Sequence, residues 1–378
     1  MNPPQPPLGG ALVLSVGHTL PGLYCIAQLR DLGAEVVRVE RIVPPGAAGP
    51  YTAVSESFPT RSLTAGTSAV SLDLKREDGR AAYLRMAGRA AAVLEGFRPG
   101  VSSRLGIDYD TLAVEHPELV YAAISGYGQE GPLRDRVGHD VNYLAETGIL
   151  GLSNPQGLPG TTFADGLAGV AAALNVVAAL FAASRSGRGQ FLDLAIVDGP
   201  LFLMASEFEQ LWRSGCERGP GDTHLTGRYP WYGVHETKDG GAMAVGAVEP
   251  AFHAALCRRL GHPRLAASQF PEGSELEGTR EAFAGAFGSQ TRSEAESLFE
   301  GEDTCVTPVL STAEVAASAI MERAQRSEAG EKLVRSPVRL DPAKLAQERS
   351  AGALLARFGF SREEIEALGR SGAMGGED

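Results

Sequence analysis

The sequence predicts an α/β protein, with a large domain built on a parallel sheet and a smaller α+β domain after it. Strand-like apolar runs alternate with helical stretches from residue 11 to about residue 200, as in strands joined by helical crossovers. From about residue 205 the chain becomes rich in aromatic residues and glycine, and then helical. We therefore place a large α/β domain at residues 1–204, a small α+β domain at 205–312, and a helical segment at 313–378 that returns to the large domain.

The start of the chain has the pattern of a strand–helix–strand unit. Residues 11–16 form an apolar run, 17–22 a turn, and apolar residues at helical spacing then continue until Gly33. A second strand is predicted at 35–39. Such a crossover implies a parallel sheet with a ligand crevice at the carboxyl ends of its strands. Three further strands are predicted at 69–72, 91–94 and 120–124.

The small domain is predicted from short aromatic and glycine-rich pieces. Tyr229-Pro-Trp-Tyr-Gly, Asp239-Gly-Gly and an apolar run at 243–245 precede helical segments around 250–261 and 280–299. Trp231 and Tyr232 either line a substrate pocket or fill the core of this domain. The tail has apolar residues at helical spacing, which are Ala353, Leu354, Phe358 and Ile365.

Charge and composition exclude several classes of protein. With 34 basic and 46 acidic residues the net charge is −12, which argues against general affinity for nucleic acid or an anionic membrane. An anionic nucleotide ligand would therefore need arginines concentrated locally. The first ten residues lack the basic and apolar regions of a signal peptide. The stretch 167–183 has the length of a membrane span but is built mainly of Ala and Gly, so we expect a helix in a soluble core.

The four cysteines are scattered along the chain. They have neither a CxxC pair nor the spacing of metal ligands, which is typical of reduced thiols in the cytosol. We expect a cytoplasmic protein with no disulfide bond and no metal site.

One motif suggests a dinucleotide site in the wrong context. Gly126-Tyr-Gly-Gln-Glu-Gly131 matches GxGxxG and follows a predicted strand. A dinucleotide fingerprint must open a helix, whereas Pro132 and the polar residues after it predict a loop. We therefore do not predict binding of NAD.

Several blocks, in order along nearly the whole chain, together resemble one family. They are Pro21-Gly-Leu-Tyr-Cys, Asp31-Leu-Gly-Ala-Glu-Val-Val-Arg-Val-Glu40, Ser71-Leu-Asp-Leu-Lys75, Glu95-Gly-Phe-Arg-Pro-Gly100, Arg104-Leu-Gly106, Ile124-Ser-Gly-Tyr-Gly-Gln-Glu-Gly-Pro132, Gly187-Arg-Gly-Gln190 leading into Asp193, and Asp303-Thr-Cys-Val-Thr-Pro-Val-Leu310. This pattern resembles the family III CoA transferases and α-methylacyl-CoA racemases (CaiB/BaiF-like proteins), with the racemase branch the more similar. The resemblance implies a Rossmann-like large domain completed by the C-terminal segment, a small domain, and an interlocked homodimer.

The resemblance also implies where coenzyme A binds. By position, Arg38, Arg98 and Arg104 are the candidates for its adenine–phosphate end, and guanidinium suits phosphate because it donates two parallel hydrogen bonds. His18 either approaches the pantetheine arm or has no role. One departure concerns Thr64-Ala-Gly-Thr-Ser68, where the family usually has a basic residue, so one phosphate contact is expected to be missing.

Three residues match the catalytic set of the racemase branch, which is His139, Asp165 and Glu249. Racemisation at the α-carbon of an acyl-CoA thioester removes a proton from one face and returns one to the other, so it suits two bases, His139 and Asp165. Glu249 would orient the imidazole. From the residues alone Asp165, just before an Ala-rich helix, is more typical of an N-cap than of a catalyst, and Asp140 is typical of a turn or cap.

The same aspartate supports a competing function. In family III CoA transferases it attacks the thioester and forms an acyl–aspartyl anhydride, after which CoA passes to another acid. His139 and Glu249 favour the racemase, whereas Ala164-Asp-Gly-Leu-Ala-Gly169 looks more like a transferase. A third hypothesis is a CoA-binding protein without catalysis. No cofactor is expected beyond the CoA of the substrate, and the acyl group stays open.

Overall fold

The computed structural model describes residues 6–17, 19–43, 59–153, 157–328, 330–338 and 348–375. His18 lies outside these residues. The chain divides into two compact units. The first unit contains Met1–Thr147, Pro159–Met204 and Ala324–Asp378, and the second contains Gly148–Leu158 and Ala205–Arg323.

The elements follow one another in an alternating order through the first half of the chain. They are β1 (Leu12–Val16), α1 (Leu20–Asp31), β2 (Glu35–Glu40), α2 (Arg61–Thr64), β3 (Ser68–Ser71), α3 (Glu77–Ala87), β4 (Ala92–Glu95), α4 (Val101–Leu105), α5 (Tyr109–Ala113), β5 (Val120–Ser125), α6 (Asp140–Glu146), α7 (Ile149–Leu152), α8 (Phe163–Ser186), β6 (Gln190–Ala195) and α9 (Asp198–Leu203). The five strands predicted from apolar runs are all present, with ends shifted by one residue or less.

The second half is mixed. Its elements are α10 (Ala205–Ser214), β7 (Tyr232–Glu236), β8 (Ala242–Gly246), α11 (Pro250–Arg259), a 3₁₀ helix (Pro263–Ala267), α12 (Gly273–Gly288), α13 (Arg292–Phe299), β9 (Val306–Pro308), α14 (Thr312–Ala316), α15 (Ala319–Ala324), β10 (Gln325–Glu328), β11 (Glu331–Val334), α16 (Ala351–Arg357) and α17 (Arg362–Ser371). The purely helical tail predicted from the sequence missed the β10–β11 hairpin.

Six of the described strands form one parallel sheet in the order β3-β2-β1-β4-β5-β6. Leu14 of β1 pairs with Val37 on one side and Val93 on the other, and all three are buried. The strand order reverses between β1 and β4, so the carboxyl ends of these two strands border the crevice where open α/β sheets bind ligands. The predicted α/β class and parallel sheet are confirmed.

Strand β6 was not predicted because it is an edge strand without a continuous apolar run. Its residues are mostly exposed or half-buried, unlike the fully buried β5 beside it. Gly189, just before β6, lies so close to the carbonyl of Leu119 that a Cβ would collide with it. Glycine at this position lets the chain enter the sheet beside β5.

The tail packs into the core of the large sheet. Leu354, Leu355 and Phe358 on and after α16 share one hydrophobic cluster with Tyr83 of α3 and Val70 of β3. Beyond α17, Leu72 and Met374 form an isolated antiparallel bridge. The C-terminal helices therefore belong to the same folded unit as the first strands.

A buried ion-pair network ties the β10–β11 hairpin to α1. The Asp31 carboxylate accepts from Arg30 Nε at 3.0 Å, Arg326 Nη1 at 3.0 Å and Ser336 Oγ at 2.6 Å. Burial acts to raise the pKa of Asp31, but Arg30, Ser336 and Arg326 more than offset it and hold the pKa below its usual value. These buried ion pairs thus fix the position of the β10–β11 hairpin, where the chain returns to the first unit.

The long helix α8 is apolar but buried on one face only. Ala168, Ala172 and Val176 are buried, whereas Leu174 and Phe181 are 70% and 63% exposed. The predicted helix is present, but its predicted burial in the core holds for one face alone. Its length and composition would also allow it to cross a membrane, a property it shares with core helices of soluble proteins.

The second unit has its own core. Three of the described strands form an antiparallel sheet in the order β7-β8-β9, against which helices α11 to α13 pack. Trp231 is 1% exposed and lies in this core with Phe283 and Phe287, and Tyr232 packs on it partly buried. Of the two roles left open for Trp231, the structure shows core packing.

Candidate active site

A buried carboxylate, that of Glu95, lies at the carboxyl end of β4. Glu95 is 3% exposed and accepts a hydrogen bond from the Phe97 N–H at 2.8 Å and from Ser102 Oγ at 3.2 Å. Burial raises the pKa of Glu95 to about 7, while these two donors act to lower it. Glu95 thereby holds the turn that carries Arg98 and leads into α4. The sequence signal was a single Glu ending an apolar strand, which we did not treat as functional.

The three predicted CoA-binding arginines differ in their surroundings. Arg38, on β2, is half-buried, donates from Nε to Thr67 Oγ1 at 2.9 Å and forms an ion pair with Glu40. Arg98 and Arg104 are exposed, and neither forms an ion pair with any residue that the structure describes. Among the described residues, no carboxylate therefore competes with an anionic ligand for these two side chains.

Arg104 has a basic neighbour that the sequence did not reveal. Arg104 Nη1 and Arg134 Nη2 lie 3.4 Å and 3.3 Å from the position that a Cβ on Gly100 would occupy. Arg134 is fixed by donating from Nε to the Gln129 carbonyl at 2.9 Å. Two guanidinium groups therefore converge at Gly100, and that of Arg134 also pairs with Asp135 at 3.2 Å.

The segment Gly126–Gly131 directly follows β5 and consists mainly of bends that lead into turns, with no helix before α6. The loop predicted after this GxGxxG is present. Tyr143 on α6 holds the following stretch, because its hydroxyl donates to the Gly138 carbonyl at 2.8 Å. A Cβ on Gly138 would lie 2.9 Å from the Tyr143 ring, so only glycine allows this approach.

His139 follows directly and occupies the N-cap position of α6. Its backbone N–H donates to Asn142 Oδ1 at 3.0 Å, which satisfies the start of the helix from within. The imidazole is exposed. The ring of His139 is therefore accessible from solvent on a fixed backbone.

Asp165 lies in the first turn of α8, three residues after the N-cap Thr162. It is therefore not the N-cap that its place before the helix suggested. Its backbone N–H donates to Asp140 Oδ1 at 2.9 Å. Burial, and secondarily the charge of Asp140, raises the pKa of Asp165 to about 6, while the charge of His139 acts to lower it. The fold thus brings His139 and Asp165 into one electrostatic environment.

The start of α8 is held close to the sheet by α1. Gly169 lies against α1 so closely that a Cβ would be 2.7 Å from the Pro21 carbonyl oxygen. Gln28 of α1 donates to the Gly169 carbonyl at 3.4 Å. Small residues on α8 therefore allow the close packing that places Asp165 beside the helix following β1.

Glu249 lies in the second unit, at the N-cap position of α11 with Pro250 as the first helical residue. Its carboxylate is exposed and has no hydrogen bond with the part of the chain that the structure describes. The loop before it is fixed: Ala247 N–H donates to the Trp231 carbonyl at 2.9 Å, and Gln269 Nε2 donates to the Val248 carbonyl at 2.6 Å. Glu249 is thus presented on a rigid turn of its own unit.

Over the described ranges, no group of three or more His, Cys, Asp or Glu side chains is placed to hold a metal ion. The four cysteines are free thiols, Cys25 and Cys257 buried and Cys216 and Cys305 exposed.

Comparisons with known proteins agree on one family. The model of CoA-transferase family III matches residues 8–354. The α-methylacyl-CoA racemase of Mus musculus is 37% identical, over 96% of this chain and 96% of that protein. The acetyl-CoA:oxalate CoA-transferase of Acetobacter aceti is 32% identical, over 70% of this chain and 69% of that protein.

Solved structures agree in fold. A CaiB/BaiF family protein from Brucella suis superposes with a TM-score of 0.78 at 23% identity, covering 93% of this chain and 99% of that one. A hypothetical protein from Mycobacterium tuberculosis superposes with a TM-score of 0.76 at 27% identity, covering 94% and 99%. The chain therefore belongs to CoA-transferase family III.

Proposed function

We propose that this enzyme processes acyl-CoA thioesters as an α-methylacyl-CoA racemase. The observation that carries the proposal is that the charge of His139 acts on Asp165, which lies in the first turn of α8 with its pKa raised to about 6. Inversion at an α-carbon requires two acid–base groups, one for each face of that carbon. The 37% identity to the mouse racemase over nearly the full length supports the same reaction.

In the proposed reaction one base takes the proton from the α-carbon, and the electron pair moves onto the thioester oxygen as an enolate. The other group, in its protonated form, then gives a proton to the opposite face of that carbon. The reverse direction exchanges the two roles, so no net proton is consumed. The partial positive charge at the start of α8 favours the enolate oxygen. We propose that Glu249 orients His139, and no cofactor is needed beyond the CoA of the substrate.

CoA transfer is the second candidate function. It is supported by relatives such as the Acetobacter aceti transferase and by the sequence Ala164-Asp-Gly-Leu-Ala-Gly169. With a pKa of about 6, the Asp165 carboxylate is mostly ionised at neutral pH and could also attack a thioester. A protein without catalysis is disfavoured because the relatives named here are enzymes.

Solvent exchange separates the two reactions. Given a 2-methylacyl-CoA in deuterated water, the racemase exchanges the α-hydrogen and interconverts the two epimers with no second acid present. A transferase instead requires an acceptor carboxylic acid. Mass spectrometry of the recovered thioester and chiral analysis of its acyl group measure both outcomes, and absence of exchange together with CoA transfer would reject the racemase.

We propose that Arg38, Arg98 and Arg104 hold the phosphate end of CoA. Arg104→Ala is expected to weaken binding of acetyl-CoA by about tenfold or more, because a charge-assisted hydrogen bond is lost. Calorimetric titration measures the affinity. The matched control is Arg362→Ala on α17, whose side chain is 92% exposed and pairs only with Glu366 among the residues described. Equal affinities of both variants and the wild type would remove Arg104 from the site.

We propose that the protein is an interlocked homodimer. The apolar face of α8 and the nearby helix α9 leave Leu174, Phe181 and Phe202 largely exposed in one chain, the last at 79%. Exposed apolar side chains at this density are typical of a protein interface. Because interlocked chains cannot separate while folded, sedimentation at high dilution is expected to show no native monomer. A folded monomer would contradict this assembly.

A further inference from the structure

We propose that Asp140 is a positioning residue for Asp165: its carboxylate caps α8 from a neighbouring helix and places a negative charge beside the Asp165 side chain. The inference rests on the proposed role of Asp165 as a base. It assigns a task to a residue whose sequence context indicates only a local turn or cap.

At the start of α8, the residue in the N-cap position is not the residue that caps the helix. The N–H in the third position of a helix is ordinarily capped by the side chain of the N-cap residue. Thr162 occupies that N-cap position but makes no such bond, and its buried Oγ1 has no hydrogen-bond partner within the described residues. The Asp165 N–H donates instead to Asp140 Oδ1, 25 residues away, at 2.9 Å.

This bond connects the two helices that carry the proposed bases. Asp140 is the first residue of α6, directly after His139, and Asp165 is in the first turn of α8. A cap supplied by α6 therefore fixes the distance between the backbone of one base and the backbone of the other. A local cap from Thr162 would leave the two helices free of this constraint.

The charge of Asp140 acts on the same residue. It is the second cause, after burial, of the raised pKa of Asp165, and His139 opposes it. The elements packed against α8 also carry other titratable groups. They include Tyr143 and Glu146 on α6, Tyr24, Cys25, Arg30 and Asp31 on α1, Asp193 on β6 and Asp198 on α9. A nearby like charge disfavours the ionised form of Asp165, so the protonated form persists to higher pH. This favours Asp165 as a proton donor without removing its role as a base at neutral pH.

The test separates the charge from the cap. Asp140→Asn keeps an oxygen acceptor but removes the charge, and Asp140→Ala removes both. Carboxyl NMR of the full chain with ¹³C-labelled aspartate follows the titration of Asp165, assigned by the loss of its signal in Asp165→Asn. In Asp140→Asn the Asp165 midpoint is expected to move to lower pH by about half a pH unit or more. Asp140→Ser, a neutral residue that also caps helices, is the second variant.

Melting temperature reports the cap. Asp140→Ala is expected to melt about 2 °C or more below Asp140→Asn, because the Asp165 N–H loses its acceptor. The matched control is Asp110→Asn on α5, which removes the same charge from an exposed site and is expected to leave the Asp165 midpoint unchanged.

The charge effect would be overturned if the titration midpoint of Asp165 in both Asp140→Asn and Asp140→Ser equalled the wild-type value. The cap would be overturned if Asp140→Ala and Asp140→Asn melted at the same temperature. The titration needs no substrate. Failure of the wild-type protein to exchange an α-hydrogen would reject the proposed function alone, so the two failures are distinguishable.

Discussion

Replacing Asp165 by asparagine is expected to slow exchange of the α-hydrogen by a factor of about 10² to 10⁴ for the 2-methylacyl-CoA epimer whose α-hydrogen faces Asp165. An amide of nearly the same shape cannot accept or return the proton, so binding of the thioester should persist while proton transfer at the face next to Asp165 stops. Exchange in deuterated water, followed by mass spectrometry, measures the rate, and calorimetry checks that acetyl-CoA still binds.

The companion variant is His139→Ala. Under the racemase mechanism it suppresses interconversion of the epimers, while exchange from one epimer continues through Asp165. The transferase makes a different prediction: hydroxylamine would trap the acyl–aspartyl anhydride, and Asp165→Asn alone would abolish CoA transfer. Wild-type protein that transfers CoA to a free acid without solvent exchange would establish the second candidate function.

The Asp165→Asn variant is also expected to change how the stability of the protein depends on pH. The pKa of Asp165 is raised from 3.8 to about 6, so the folded state holds more protons than the unfolded state between these values, and stability falls as pH rises through this range. At neutral pH Asp165→Asn is therefore expected to be more stable than the wild type, by about 1–3 kcal/mol. Below about pH 4 the gain should vanish, which thermal melts at several pH values would test.

The largest expected loss of stability follows from removing Asp31. Asp31→Ala is expected to lower the free energy of unfolding by about 3–5 kcal/mol, because two buried guanidinium groups lose their common partner. Those groups are Arg30 and Arg326, which both donate to Asp31 Oδ1 at 3.0 Å. Urea denaturation followed by circular dichroism measures the change.

An exposed ion-pair site is the matched control. Glu366→Ala removes a carboxylate that pairs with Arg362 and Arg370 on α17, and is expected to cost at most about 1 kcal/mol because solvent screens these pairs. The folded pKa of Asp31 is lowered, so its contribution is present above its unfolded pKa and is lost as pH falls through the folded value. The two variants should therefore differ less in acid. Equal losses at neutral pH would refute the structural role of Asp31.

Local periodicity was sufficient to predict the framework. The strands β1, β4 and β5 are apolar runs because they are buried on both faces of a parallel sheet, and burial leaves its pattern in adjacent residues. The strands β2 and β3 are buried at only some of their residues. The same reasoning placed α1 between Pro21 and Gly33, and it rejected Gly126–Gly131 as a dinucleotide site because proline follows it directly. The edge strand β6, exposed on much of its surface, left no such pattern.

The candidate site depended on contacts between distant residues. Resemblance to the family singled out His139, Asp165 and Glu249, but it did not show that Asp140 caps the helix of Asp165 or that Arg134 meets Arg104 at Gly100. It also did not show the burial that raises the pKa of Glu95. Residue types and their local spacing thus determined the elements and the candidate chemistry, whereas tertiary structure alone decided burial, charge neighbours and caps, because each of these is a property of groups brought together from separate parts of the chain.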